Sequence, residues 1–319
     1  MTNTSTPPQH DVPLTRLVLI LSAGILAISA SAILIRLSQA PSLVIAFWRI
    51  TLSIAVLLPL WFQRKRWQEL KALSTPLRWQ LFGSGLCLGF HFWTWIASLK
   101  YTSVAASVLL VTTNPIWVGL LSPWVLKERL SRKTWLGIAI AMGGASLIAI
   151  NAEGGLAATP NPLWGNTLAT LGALAASGYL MMGRKVRPYL NIWSYASVTL
   201  WGAWLVLAVG ILLQPGPRIP LLFHYPWQEW MLFLAMALLP QMVGHNAISW
   251  SLRYIRADTV SVLLLLEPVG STLLAILFLR EMPGTMILLA GPILLFGIGV
   301  VVRSTSSESE GTKADAGDV

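Results

Sequence analysis

The chain has 319 residues, of which 55% are hydrophobic and 11% are charged, with 16 tryptophans and a mean hydropathy of +0.68. This composition excludes an ordinary soluble globular domain and indicates an integral membrane protein. The net charge of +10 does not indicate nucleic acid as a partner, because the basic residues lie in short gaps between apolar segments. Cys87 is the only cysteine, so neither a disulfide framework nor a Cys/His metal site is expected.

Ten mostly apolar segments follow one another along the chain, each about long enough to cross a membrane as a helix. Unsatisfied backbone groups are costly in lipid, and the sequence lacks the alternating pattern of a membrane barrel. We therefore predict an all-α integral membrane bundle of ten transmembrane helices. The predicted segments are 17–35, 43–62, 81–99, 102–124, 134–150, 163–182, 190–213, 229–250, 259–279 and 285–302.

The gaps between these segments differ in positive charge. With the N-terminus placed inside, 17 lysines and arginines fall on the inner side and four on the outer side, and Arg49 lies within the second segment. The positive-inside rule therefore predicts that both termini are cytoplasmic. We expect a multi-pass protein of a bacterial inner (plasma) membrane. The first segment has a counterpart in the second half, so we interpret it as a helix and not as a cleaved signal peptide.

The chain repeats itself at an offset of 153 residues. Residues 98–128, SLKYTSVAASVLLVTTNPIWVGLLSPWVLKE, align without gaps on residues 251–281, SLRYIRADTVSVLLLLEPVGSTLLAILFLRE. At an offset of 148, GILAISASAILIR at 24–36 aligns on GALAASGYLMMGR at 172–184. Because five helices is an odd number, the second unit must be inserted upside down relative to the first. This is the inverted-repeat architecture of secondary transporters, whose binding site lies at the midplane between the units.

Two five-helix units, each with a proline within its fourth helix, a glutamate at that helix's end and a Gly-rich fifth helix such as GIAIAMGGASL, closely resemble the drug/metabolite transporter superfamily, EamA type. The resemblance covers about residues 17–302. It implies a ten-helix bundle that exports small metabolites, commonly amino acids or related compounds, by alternating access. Family members usually have glycine before the helix-end glutamate. This chain has Lys127 and Arg280 there, so no role is carried over to Glu128 and Glu281.

The repeat divides the chain into five predicted parts. The two end parts are polar and lack helical periodicity, which is typical of disorder. The parts are a cytoplasmic tail at 1–16, a first EamA-like repeat at 17–151, an extracytoplasmic loop at 152–162, a second EamA-like repeat at 163–302 and a cytoplasmic tail at 303–319.

Asn114 and Glu267 occupy equivalent positions in the two repeats, each directly before a proline near the middle of its segment. A charged side chain at the bilayer centre costs about 2.5–3.5 kcal/mol on insertion scales, so Glu267 must face the bundle interior or a watery cavity. Pro115 and Pro268 are predicted to kink their helices and to free backbone carbonyls at the same depth. We interpret Glu267 as part of the substrate or proton pathway. The alternative is a buried glutamate that only hydrogen-bonds a neighbouring helix.

Other polar and aromatic residues within the segments are candidates for the same pathway. Arg49 can bind a substrate carboxylate, snorkel to the outer interface or form a structural ion pair. His91 and His245 lie in corresponding helices of the two halves and can relay a proton, with His91 as the second proton-coupling candidate, or can form interhelical hydrogen bonds. The candidate substrate-binding residues are Arg49, His91, Trp93, Trp95, Asn114, Trp117, Tyr179, His245, Asn246 and Glu267.

These features predict a secondary transporter that exports a small metabolite, with an amino acid or related compound as the expected substrate and proton antiport as the expected coupling. A facilitator without proton coupling and a passive channel or scramblase are the alternatives. An enzyme is not expected, because the sequence has no HExxH, GxSxG or P-loop motif. No cofactor or metal is expected. The expected partners are the substrate, protons and the lipid bilayer, without nucleic acid, and the sequence leaves the oligomeric state open.

Overall fold

A computed structural model of the chain describes residues 12–102, 104–150, 160–274, 277 and 285–317. Every regular element within these ranges is a helix, so the predicted all-α class is confirmed. Most of the predicted N-terminal tail at 1–16 and of the predicted loop at 152–162 lies outside the described residues, as does Glu281.

In its described part, the first half contains five apolar helical segments and one short polar helix, α3. The fourth apolar segment is broken into two helices, α5 and α6, and only a few residues separate them. The helices of this half are α1 (Leu14–Leu37), α2 (Ser42–Trp61), α3 (Arg64–Ala72), α4 (Thr75–Ser98), α5 (Val104–Val111), α6 (Asn114–Val125) and α7 (Arg132–Ile150).

In its described part, the second half follows the same order, with a 3-10 turn at Arg187–Tyr189 and two departures from α-helical geometry inside its apolar segments. A π-helical turn at Ala237–His245 joins α11 to α12, and a 3-10 turn at Leu264–Leu266 joins α13 to α14. The helices are α8 (Pro162–Val186), α9 (Ile192–Leu213), α10 (Arg218–Phe223), α11 (Trp227–Met236), α12 (Asn246–Ser251), α13 (Ala257–Leu263), α14 (Glu267–Leu274) and α15 (Thr285–Gly317).

The last helix extends beyond the apolar segment predicted at 285–302. α15 continues to Gly317, through the stretch in which the sequence predicts a tail from 303. This stretch contains no proline, so nothing in its backbone chemistry forces the helix to end. The boundaries of the five predicted parts stay predictions.

Within the described ranges, five helical segments are long and apolar enough to cross a membrane. α4 and α8, with 24 and 25 residues, are as long as these five segments, but they carry more polar side chains, several of which are buried. The predicted count of ten crossings therefore stays a prediction. The five segments are Leu14–Ile35, Ser42–Trp61, Ala106–Val125, Ile192–Leu213 and Trp227–Ser251.

The two halves pack on each other in matched pairs. α4 packs on α8, and α1 packs in the same way on the π-helical turn that occupies the position of α4 in the second half. α2 packs on α9 and α7 packs on α15, so each of these helices meets its own repeat mate. The larger hydrophobic core draws on both halves, and a smaller core lies between α7 and α15. The centre of the molecule is therefore the interface between the halves.

Buried carboxylates near two helix ends are engaged by neighbouring groups. Glu229 at the start of α11 accepts hydrogen bonds from the Ser38 hydroxyl at 2.5 Å and from the Gln39 backbone N–H at 2.6 Å. Asp258 at the start of α13 forms an ion pair with Arg256, with 2.9 Å between Nη2 and Oδ2. These carboxylates are satisfied by their neighbours, which leaves them a structural role.

Glycines permit the close approach of α7 and α15. A Cβ atom on Gly144 would lie 2.6 Å from the backbone nitrogen of Leu294, and one on Gly297 would overlap the backbone of Ala141. Gly144 and Gly297 are equivalent in the two repeats, so both halves bring their backbones together through the same small residue.

Replacing Gly144 with alanine is expected to lower the melting temperature of the purified protein. The added methyl group forces the backbones of α7 and α15 apart, and overpacking of this kind costs about 1–3 kcal/mol. Gly143→Ala is the matched control, because a Cβ there has no atom within 4 Å. Scanning fluorimetry in detergent measures both variants, and equal melting temperatures would contradict the packing described.

Candidate functional site

Both broken helices are interrupted at equivalent residues. α5 ends at Val111 and α6 begins at Asn114, with Pro115 as its second residue. In the second half, the 3-10 turn ends and α14 begins at Glu267, directly before Pro268. Proline lacks an N–H and clashes with the preceding turn, which explains an interruption before each one. Two helix N-termini, which carry partial positive charge, therefore lie at equivalent positions in the two halves.

A cavity of about 60 Å³ lies between the halves at these interruptions. Such a volume holds roughly four to six water molecules at about 10–15 Å³ each, and drug-sized pockets measure about 300–1,000 Å³. A metabolite larger than a few heavy atoms therefore requires the cavity to widen. Seven of the ten predicted substrate-binding residues line it, namely Arg49, His91, Trp95, Asn114, Tyr179, His245 and Glu267.

Arg49 is a buried cation with one unused donor group. Its side chain is 1% exposed, so it does not reach the interface as a snorkelling residue would. Its Nε donates to Gln241 Oε1 at 3.2 Å, its Nη1 donates to Ser31 Oγ at 3.1 Å, and its Cζ lies 4.2 Å from the centroid of the Phe92 ring. Its Nη2 has no hydrogen-bond partner among the described residues. That nitrogen is available to a ligand in the cavity.

His91 and His245 bring two imidazole rings to the cavity wall. His91 Nδ1 lies 3.0 Å from the carbonyl oxygen of Gly172. A carbonyl only accepts, so Nδ1 carries the proton, and Nε2 of the neutral ring is left as an acceptor. The His91 ring stacks on Trp95 with 5.8 Å between centroids, and the His245 ring meets Phe92 edge to face at 5.1 Å. Packing thus fixes both rings before any ligand binds.

Trp95 and Asn114 each present an unsatisfied polar atom. Trp95 Nε1, a donor, and Asn114 Oδ1, an acceptor, are buried and have no hydrogen-bond partner among the described residues. Leaving a buried polar group unpaired costs about 1–3 kcal/mol, and native proteins nearly always pair such groups with protein or water. Both residues line the cavity, so a bound molecule or water is the partner that their positions suggest.

Glu267 faces Arg49 across the same cavity. The carboxylate accepts no hydrogen bond from the side chains that the structure describes, and only the backbone carbonyl of Glu267 accepts one, from Ser29 Oγ at 3.1 Å. Arg49 and Glu267 attract each other electrostatically, yet no ion pair within 4.0 Å joins them. The cavity therefore separates one positive and one negative group.

Tyr179 connects the cavity to a buried polar network. Its hydroxyl hydrogen-bonds the Ser249 hydroxyl, and Arg187 Nε donates to the Ser249 carbonyl at 2.8 Å. The Arg187 guanidinium also lies 5.7 Å from the Tyr195 ring, whose hydroxyl is 2.7 Å from Ser84 Oγ. Because the Tyr179 hydroxyl already has a protein partner, its contribution to the cavity is mainly the aromatic ring.

Three of the predicted substrate-binding residues do not line the cavity. The Trp93 ring stacks on Phe90 with 6.4 Å between centroids. Trp117 Nε1 donates to Thr113 Oγ1 at 3.2 Å, and the Asn246 side chain contacts a methionine sulfur at 3.9 Å. Trp93 is two positions from each of the lining residues His91 and Trp95, and side chains two positions apart on a helix point about 200° apart, so Trp93 cannot share their face.

Three polar residues at the cavity were not predicted from the sequence, and one of them, Thr112, lines it with its hydroxyl bonded to the Val108 carbonyl. Ser31 also lines the cavity. Gln241, at 2% exposed, does not line it but accepts the hydrogen bond from Arg49 Nε. Gln241 precedes His245 by four residues, which places both on one side of their helix. This spacing is the only sequence signal that pointed to it, since a lone serine or glutamine in an apolar segment is common.

The arrangement suits recognition of a small charged molecule. A guanidinium, a carboxylate, an indole donor and an amide acceptor all face one small space. Within the described ranges, no group of three or more His, Cys, Asp or Glu side chains lies together that can hold a metal ion. The lining can therefore bind and orient a ligand through charge and hydrogen bonds.

Comparisons with known proteins agree with this architecture. "Uncharacterized transporter YdfC" of Bacillus subtilis (strain 168) is 26% identical over 214 residues, covering 66% of this chain and 67% of YdfC. "Uncharacterized transporter YetK" of the same strain is 29% identical over 105 residues, so the match spans only about a third of each chain. A solved crystal structure matches 92% of this chain and 98% of its own with a TM-score of 0.71 at 20% identity, which is a likeness of fold.

The family profile covers both halves. The EamA-like transporter family matches residues 14–150 and again residues 163–303. The resemblance inferred from the repeated sequence is thereby confirmed, and the chain belongs to the EamA-like transporter family.

Proposed function

We propose that this protein is a secondary transporter that exports a small metabolite, an amino acid or a related compound, in exchange for protons. The observation that carries this proposal is the cavity between the halves, in which Arg49 and Glu267 face each other without forming an ion pair. A zwitterion matches this separation, because its carboxylate can meet Arg49 and its ammonium group can meet Glu267. Relatives that are named transporters argue against an enzyme.

The proposed setting is a bacterial plasma membrane crossed ten times, with both termini in the cytoplasm. The two five-helix units lie in opposite orientations, and rocking one against the other exposes the cavity to each side in turn. The matched packing of α4 on α8 and of α1 on the π-helical turn supports this motion, because two equivalent interfaces can exchange roles.

Proton exchange is assigned to Glu267, with His91 as a second candidate. Glu267 has no hydrogen-bond partner for its carboxylate among the described side chains, so it is free to bind a proton or an ammonium group in turn. His91 offers Nε2 as an acceptor, but its ring is held by the Gly172 carbonyl and by Trp95.

The test uses purified wild-type protein in liposomes that contain a pH-sensitive dye, with no imposed membrane potential. Amino acids and small organic cations are added in turn, and proton movement is recorded beside the flux of labelled substrate. We expect saturable substrate flux accompanied by proton movement in the opposite direction. Substrate flux without proton movement would make the protein a facilitator, and flux that does not saturate would make it a channel.

A further inference from the structure

Every close partner of the Arg49 guanidinium is uncharged. Gln241 Oε1 accepts from Nε at 3.2 Å, Ser31 Oγ accepts from Nη1 at 3.1 Å, and the Phe92 ring lies 4.2 Å from Cζ. Among the described residues, no carboxylate oxygen lies within 4.0 Å of the guanidinium. A buried cation is normally paired with an anion, because leaving its charge uncompensated is costly. Neutral acceptors thus hold the Arg49 side chain in place, and its positive charge remains available to an anionic ligand.

The charged and titratable groups that face Arg49 do not neutralise it by contact. Glu267 lies across the cavity and attracts it from a distance. His91 and His245 are near enough to interact with it electrostatically, but neither is an anion. The remaining donor, Nη2, is buried and has no hydrogen-bond partner in the described part of the chain. A ligand oxygen in the cavity can therefore accept a hydrogen bond from Nη2.

Gln241 reaches Arg49 because of an unusual backbone segment. It lies in the π-helical turn Ala237–His245, directly after Pro240. Proline cannot donate to the helical ladder, so a wider turn is favoured there, and π-turns frequently occur at functional sites. The turn places the Gln241 amide oxygen against Nε.

We propose that Gln241 is a specificity-determining residue: it positions Arg49 through a neutral acceptor and so reserves the guanidinium charge for an anionic group, a carboxylate, of the transported molecule. An acidic side chain at position 241 would satisfy Arg49 internally and close the site to anions. This inference rests on the proposed function for its context, but it concerns ligand binding and can be tested apart from transport.

The experiment measures binding to the full-length protein in detergent with three probes of matched shape, namely L-alanine, propionate and ethylamine. Propionate lacks the amine of alanine, and ethylamine lacks its carboxylate. Binding is followed by tryptophan fluorescence, since Trp95 lines the cavity, and by calorimetry. We expect Gln241→Glu to weaken propionate binding by about tenfold or more, because an internal ion pair competes with the probe. Ethylamine binding is expected to stay unchanged or to become tighter.

Two further variants make the result specific. Gln80→Glu is the matched control: it makes the same substitution at a glutamine that does not line the cavity, and it should leave propionate binding as in the wild type. Gln241→Met removes the acceptor without adding charge, so it is expected to weaken propionate binding by a smaller factor than Gln241→Glu does. It also serves as the test if the Glu variant does not fold, and a propionate affinity like that of the wild type would then overturn the inference.

The outcomes separate this inference from the proposed function. Propionate binding that depends on residue 241, in a protein that moves no amino acid across liposomes, would support the inference and reject the transport proposal. Transport by the wild type together with equal propionate affinity in the wild type and both Gln241 variants would overturn the inference alone. Failure of the wild type to bind propionate would also overturn it.

Discussion

Replacing Arg49 with lysine is expected to raise the apparent KM of the proposed amino-acid substrate by about tenfold or more, while the protein still folds. Lysine keeps the positive charge but not the planar set of donors. It cannot bond Gln241 and Ser31 and at the same time present a donor from the position of Nη2. A tenfold change corresponds to about 1.4 kcal/mol, close to the lower end of the range for one hydrogen bond to a charged group.

Arg187→Lys is the matched control for this variant. Arg187 is likewise 1% exposed and lies against an aromatic ring, that of Tyr195, but it bonds backbone carbonyls and does not line the cavity. Both variants are expected to lower the melting temperature, and only Arg49→Lys should change the KM. If Arg49 were purely structural, both would lose stability and neither would lose affinity. Kinetics in liposomes and scanning fluorimetry together decide between these roles.

Replacing Glu267 with glutamine is expected to abolish proton movement driven by substrate, while exchange of labelled for unlabelled substrate continues. Glutamine has the shape of glutamate and can still accept a hydrogen bond from an ammonium group, but it cannot take up or release a proton near neutral pH. The affinity should fall by less than about tenfold, because one hydrogen bond is weakened and not removed. The pH dye and the exchange assay measure the two effects separately.

Glu229→Gln provides the corresponding control. Glu229 is buried near a helix end and is fully engaged with Ser38 and Gln39, away from the cavity. Its substitution should lower stability and leave proton coupling intact. Normal proton movement with unchanged pH dependence in Glu267→Gln would exclude Glu267 from the proton path. His91 would then be the remaining candidate for proton coupling.

The sequence was sufficient to predict the helical class, the repeat and the central pair of polar positions. Asn114 and Glu267 emerged because the ungapped offset of 153 residues placed them at the same point of two helices. Proline in an apolar segment has a local backbone effect that does not depend on the rest of the fold. Features of this kind can be inferred from spacing alone.

The parts that the sequence could not predict depend on helix rotation. Trp93 and Trp95 were equal candidates, but only Trp95 shares a face with His91, four residues earlier, and the two rings stack at 5.8 Å. Gln241 was missed because its contact with Arg49 joins residues 192 positions apart through a π-helical turn. No local pattern reports such a pairing, since it exists only once the halves have packed.

The central claim is that substrate passes through the cavity between the halves, and the most direct test is to fill that cavity. Ala176 on α8 lines it, and Leu174 on the same helix is 39% exposed on the outer surface of the bundle. We would measure saturable amino-acid flux in liposomes for Ala176→Phe and Leu174→Phe, after showing by size-exclusion chromatography that both variants are folded. Flux that falls at least about tenfold in Ala176→Phe and stays near that of the wild type in Leu174→Phe is the predicted result. Undiminished flux through a folded Ala176→Phe protein would contradict the account.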